Sequence, residues 1–210
     1  MRRLVLVLAL TGCQVKNDQP PSSSSSSGAA SSTPVTTSPS REASSCGNEI
    51  LGEEGIGELR IGTTVESLRQ KCNVIRDTTV TGAEGMPARK VGVAFSRDTV
   101  EAEIVDGRVW RIAINSPRLR TADTLGVGTL IGRLRQLREP HGMMGEGQLF
   151  VASPEHCGMS FRLSNTGPRG KRGDLDRAGL SRLPETAVVS QVLIFGCKLG
   201  SEPTTAPPSP

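Results

Sequence analysis

The chain has 210 residues and carries 25 Lys and Arg against 21 Asp and Glu, a formal net charge of +4. Four Phe, one Trp and no Tyr mean that a folded core must be built from Val, Ile, Leu and Ala, and basic residues without interleaved aromatics offer no stacking platform for nucleic acid. The N-terminal apolar run, Leu4 to Leu10, is far short of the ~20 residues that a membrane-spanning helix needs.

Arg2 and Arg3 precede that run and Leu10-Thr11-Gly12-Cys13 follows it. A positive start, a short apolar stretch and small residues before a processing point read as an export signal over residues 1–12. Leu-Thr-Gly-Cys resembles the lipobox of bacterial lipoproteins. That resemblance implies that Cys13 is diacylated on its sulfur, becomes the first mature residue and anchors the chain to a membrane. Gln14 in place of Asp leans toward the outer membrane in a bacterium that has two. Residues 14–45 are Ser, Thr, Pro, Ala and Gly with almost nothing to bury, so they read as a flexible tether. The Pro/Ser/Thr tail, 201–210, reads as disordered for the same reason. Residues 46–200 are one domain's length of chain.

Within that domain Cys46, Cys72, Cys157 and Cys197 remain once Cys13 is spent on lipid. An even count in an exported chain reads as two disulfides. Cys157 and Cys197 lie in strands of one half, whereas Cys72 closes a helix in the other and Cys46 opens the domain, so the expected pairs are 46–72 and 157–197. No C-x-x-C occurs, and no metal or cofactor site is indicated.

An internal repeat divides the domain. Leu59 to Gln70 aligns without gaps on Leu125 to Gln136, with Leu, Gly, Thr, Leu, Arg and Gln at the same offsets. In each copy a Gly suited to a turn precedes a Thr suited to a helix N-cap, and apolar residues follow three apart. Thr63-x-x-Glu66 reads as a capping box that Gly132 removes from the second copy, so the second helix should start less firmly. The strands expected after the first copy are Val91 to Phe95, Val100 to Val105 and Arg108 to Ile114. After the second they are Gln148 to Ala152, Cys157 to Leu163 and Val188 to Phe195. The predicted fold class is therefore α+β, as two tandem units, about 46–117 and 118–200, each a short helix plus about three antiparallel strands. At Asp106-Gly107 a three-residue loop would pair Ala102 with Trp110 and Glu101 with Arg111, making Trp110 a core residue. A Gly-hydrophobic-Gly-Thr turn, a short helix and an antiparallel sheet, occurring twice, resemble the tandem units of β-lactamase-inhibitor proteins and of the small outer-membrane lipoprotein of the β-barrel assembly machinery. That resemblance implies a protein-binding module.

No catalytic constellation is legible. His156 and Cys157 would point to opposite faces of a strand, His141 lacks a nucleophile motif, Glu53-Glu54 reads as a solvated pair, and Gly55-x-Gly57 as turn chemistry. Charge is uneven: 46–117 holds 9 basic against 11 acidic residues and 118–200 holds 12 against 7. Much of the excess is Arg169, Lys171, Arg172, Arg177 and Arg182, in the long segment from Asn165 to Ala187, a candidate surface for an anionic cell-wall polymer, lipid headgroup or acidic protein. The expectation is a tethered extracytoplasmic module that binds an envelope partner and is not an enzyme. A hydrolase of unrecognised type is the alternative.

Overall fold

The computed structural model of the chain describes residues 46–82, 85–167 and 173–197. Cys13, the 14–45 tether, Arg169, Lys171, Arg172 and the 201–210 tail lie outside the described residues. In chain order the elements are β1 (Ile50–Gly52), β2 (Gly55–Ile56), β3 (Leu59–Arg60), α1 (Val65–Lys71), β4 (Val74–Thr81), β5 (Pro87–Phe95), β6 (Asp98–Val105) and β7 (Arg108–Ile114). They continue as β8 (Arg120–Thr121), α2 (Ile131–Leu134), β9 (His141–Gly145), β10 (Gln148–Ala152), β11 (Met159–Ser164), α3 (Arg177–Ser181) and β12 (Val188–Ile194).

This is a mostly β protein, and the expected α+β class of helix-plus-three-strand units is wrong. Among the described residues twelve strands form two sheets, in the orders β3-β2-β1-β8 and β4-β5-β6-β7-β12-β11-β10-β9. The helices have 7, 4 and 5 residues, too short to form a layer of their own. Two stretches outside the expected strands, Val74–Thr81 and His141–Gly145, are the edge strands of the large sheet. Nor do residues 46–117 and 118–200 fold as separate units. β1 pairs in parallel with β8 across that boundary, and β7 pairs with β12.

What the repeat specifies is a docking geometry. Gly62 N–H donates to Val109 O at 2.8 Å, Val109 N–H to Thr63 O at 2.9 Å, and Val65 N–H to Gly107 O at 3.1 Å. In the second copy Gly128 N–H donates to Val189 O, Val189 N–H to Thr129 O, and Ile131 N–H to Ala187 O, at 2.8, 2.8 and 2.9 Å. Each Gly-Thr segment thus clips onto the strand that closes its own meander. The N-cap is Thr64, not Thr63. Its hydroxyl accepts from Ser67 N–H at 3.2 Å, while the matching Leu130 offers no side-chain acceptor. The second helix is shorter, as a weaker start requires, but the deficit lies at the N-cap itself, Leu130, and not at Gly132.

The Asp106-Gly107 hairpin also differs from expectation. Val105 pairs with Arg108 across a two-residue turn with φ of 49° and 74°, the doubly left-handed turn that matches strand twist. A bulge between Glu103 and Ile104 in the register then sets Glu103 against Arg111 and Ala102 against Ile112. Trp110 is the residue left over, and it is 42% exposed rather than in the core. The bulge removes the charge–apolar mismatch that the plain two-residue register would have produced.

One face of the large sheet forms the core. Val91, Val93, Val100, Ala102, Ile112, Ile114, Phe161, Val192 and Ile194 are almost fully buried there, in one cluster with Val65 and Leu68 of α1, Ile131 and Leu134 of α2 and Leu180 of α3. Cys46 bonds to Cys72 at the end of α1, and Cys157 bonds to Cys197, the two pairs expected from the sequence. Closing loops of 26 and 40 residues would contribute about 3.5–4 kcal/mol each on the chain-entropy model. Both bridges suggest an oxidising, extracytoplasmic location. No described helix is long and apolar enough to cross a membrane.

Two predictions follow from these details. Leu130→Thr should supply the missing cap and raise stability by about 0.5–1 kcal/mol in urea titration; no gain would mean that the α2 N-terminus is already satisfied. Asp77 accepts two bonds from Arg89 and pairs with Arg69, and the Arg89 hydrogen bonds hold its carboxyl below the ordinary range. A depressed folded pKa adds stability that is present above the unfolded value, about 3.9, and lost as pH falls through the folded one. Asp77→Asn should therefore cost about 0.5–1 kcal/mol at pH 7, with the difference from wild type closing below about pH 3.

Candidate functional site

The opposite face of the large sheet is polar, because every second residue of its central strands points there. Lys90 of β5, Glu103 of β6 and Arg111 of β7 lie in one row, and Glu101, Ala113 and Leu193 in the next. Arg162 of β11 faces Gln191 of β12. These residues line a groove of about 220 Å³, and the β9–β10 turn contributes Glu146 to it. That turn is Glu146-Gly147, with φ of 51° and 69°, and it sets Glu146 Oε1 at 2.7 Å from Arg111 Nη1.

Arg111 is the centre of this arrangement. It donates to Glu103 Oε2 from Nε and Nη2, at 3.1 and 2.7 Å, and to Glu146 from Nη1. Burial opposes its charge, but Glu146 and Glu103 together outweigh it and raise its pKa further. Glu101 pairs with Arg76 at 3.4 Å. Among the described residues, the guanidinium of Arg162 hydrogen-bonds to nothing, and its Nε is buried with no acceptor. Gln191 donates its Nε2 to Asn115 Oδ1 at 2.9 Å, and among the described residues its Oε1 receives no donor. The groove therefore holds a fixed Arg111 bridge beside an unpaired Arg162.

A second cluster lies apart from it. His156 ends a 3-10 turn, Pro154–His156, rather than standing in a strand, and its Nε2 is 3.3 Å from Asp123 Oδ2. Thr121 donates to Asp123 Oδ1 at 2.6 Å and accepts from Leu125 N–H at 2.9 Å. Burial would raise the Asp123 pKa, but the Thr121 hydroxyl and the neighbouring His156 bring it below the ordinary value. Among the described residues no hydroxyl or thiol bonds to His156, so the Asp–His contact has no nucleophile to activate. Glu53 Oε2 lies 3.2 and 3.1 Å from the sulfurs of Cys157 and Cys197. Because those sulfurs are bonded to each other, the trio supplies one carboxylate and no thiolate for a metal. Glu54 Oε1 accepts from Cys197 N–H at 3.2 Å.

The remaining sequence-derived candidates scatter. Arg177 donates to the carbonyls of Arg135 and Leu137 at 2.8 and 2.9 Å and so closes the end of α2; Arg182 is exposed at the end of α3. His141 is exposed, with Nδ1 3.5 Å from Glu139 O.

The fold has a solved counterpart. The crystal structure of the uncharacterized protein yfeY from Escherichia coli matches at a TM-score of 0.52 and 18% identity, over 70% of this chain and 99% of that one. At that identity the likeness concerns the fold alone. No protein-family model matches the chain, and no curated protein does.

The Thr121–Asp123 contact yields a prediction. Thr121 is 7% exposed, and Thr121→Val would strand the buried Leu125 N–H, so stability should fall by about 1–3 kcal/mol in urea titration. A loss below about 0.5 kcal/mol would show that the loop re-pairs without the hydroxyl.

Proposed function

We propose that the chain is a membrane-anchored extracytoplasmic lipoprotein whose folded domain binds an envelope partner in the groove between Lys90, Arg111 and Arg162. The observation that carries this reading is the charge-lined concavity on the uncovered face of the eight-stranded sheet. Its glutamates are held in ion pairs, Glu103 and Glu146 by Arg111 and Glu101 by Arg76, and the lining residues include no histidine, hydroxyl or thiol. Such a lining orients and recognises a ligand, and it offers no imidazole base and no hydroxyl or thiol nucleophile. Lipid on Cys13 would make the search for a partner local to the membrane, and two acyl chains hold stably where one does not.

A hydrolase reading rests on the Asp123–His156 contact alone, and it needs a nucleophile that the described neighbourhood does not supply. Two measurements test the proposal. Cys13→Ser should move the protein from the detergent to the aqueous phase on phase partitioning, and a wild-type chain found wholly in the aqueous phase would remove the anchor. A photo-crosslinking residue placed at Trp110, beside Arg111 and off the core face, should trap a discrete adduct in intact cells. One placed at exposed Glu66 on α1 should not. Equal trapping from both positions, or none from Trp110, would sink the groove as the binding surface.

A further inference from the structure

The groove's formal charges cancel, with Lys90, Arg111 and Arg162 against Glu101, Glu103 and Glu146. The pairing inside it is nevertheless lopsided. Arg111 takes both Glu103 and Glu146, and Arg76 takes Glu101 from outside. Lys90 makes no ion pair among the described residues, and Arg162 has five N–H donors and no acceptor there, with its Nε buried. A buried donor without a partner costs about 1–3 kcal/mol, more for a charged group, and native structures keep few of them. The apolar neighbours Leu193 and Ala113 would accommodate a shorter, uncharged side chain at this position.

We propose that Arg162 is the receptor for a planar monoanionic carboxylate, the free C-terminus of a peptide laid in the groove. This rests on the groove being the binding surface and names its ligand class. Three features select that chemistry. A guanidinium fork matches a carboxylate in two parallel bonds. A doubly charged phosphate would be repelled by Glu101, Glu103 and Glu146 in the same concavity more strongly than a singly charged carboxylate. The free Oε1 of Gln191, next to Arg162 across the β11–β12 pair, is an acceptor for the amide N–H that precedes a terminal carboxylate. At about 220 Å³ the groove lies below the ~300–1,000 Å³ of pockets that enclose a whole drug-sized ligand, so it holds the end of a chain.

The test titrates the full-length protein in detergent with acetyl-Ala-Ala-Ala as the free acid, the same peptide as its C-terminal amide, and glucuronate. Calorimetry is the main readout. The fluorescence of Trp110, the chain's one tryptophan, is the second. The free acid should bind at least about tenfold more tightly than the amide, as the loss of a charged hydrogen-bond pair requires. Arg162→Gln should erase that difference, and Arg162→Lys, which keeps the charge without the fork, should restore part of it. Equal binding of acid and amide overturns the carboxylate receptor but leaves the groove intact. Binding of glucuronate in preference to the peptide overturns the peptide and keeps the carboxylate. If no probe binds while Trp110 still cross-links a partner in cells, this inference fails alone; if cross-linking fails as well, the groove reading fails with it. The acid-against-amide comparison uses the wild-type chain, so it decides even if an Arg162 variant does not fold.

Discussion

Everything in this molecule depends on a short antiparallel seam, Ile112 to Ile114 of β7 against Val192 to Ile194 of β12. Each strand closes a four-stranded meander, and each meander alone has one apolar face too wide for a single short helix to cover. Joining them along the seam gives eight strands in one sheet and lets α1, α2 and α3 seal one continuous core. The side-chain alternation that puts Ile112, Ile114, Val192 and Ile194 into that core puts Ala113 and Leu193 on the other face, as the floor of the groove. Core and groove are two readings of the same register, and a one-residue slip at the seam would exchange them.

The groove then reflects a general tension in open sheets. A face left toward water must stay polar, and polar side chains on adjacent strands lie close enough to pair. Arg111 resolves most of this by holding two carboxylates from different strands and a turn. Arg162, one strand beyond β12, receives none, because the acids are already held. That asymmetry leaves an unpaired guanidinium in a surface otherwise built largely of ion pairs.

The sequence disclosed the Gly-Thr repeat because its signals are local: a left-handed Gly, a cap and apolar residues three apart. It disclosed the disulfides because counting suffices. The class was misjudged because β4 and β9 are edge strands, the former mostly exposed and the latter bounded by glycines, so neither shows the alternation that marks a half-buried strand. Trp110 was misplaced because a bulge changes the parity of every residue beyond it, and nothing local to Val109 to Arg111 announces one. The site was hidden for a related reason. Glu101, Glu103 and Arg111 could be placed on a common face from the hairpin, but Glu146, Arg162 and Gln191 come from distant strands, and only the seam brings the two groups together. The basic stretch that drew attention instead contains Arg177, which is consumed in closing α2.

The two disulfides also determine how the folded body would respond to being pulled. The described chain begins at Cys46 and ends at Cys197, and each of these is bonded to a partner well inside it, Cys72 and Cys157. Tension applied at the ends passes through sulfur and bypasses both loops. The small β1–β3 ribbon, stabilised by few hydrogen bonds, and the seam strand β12 cannot be peeled away from their termini. Under load only the stretch from Cys72 to Cys157 can pay out, and it can do so only after the interior of the large sheet yields, so a body pulled at both ends would fail from its middle rather than unravel from its edge.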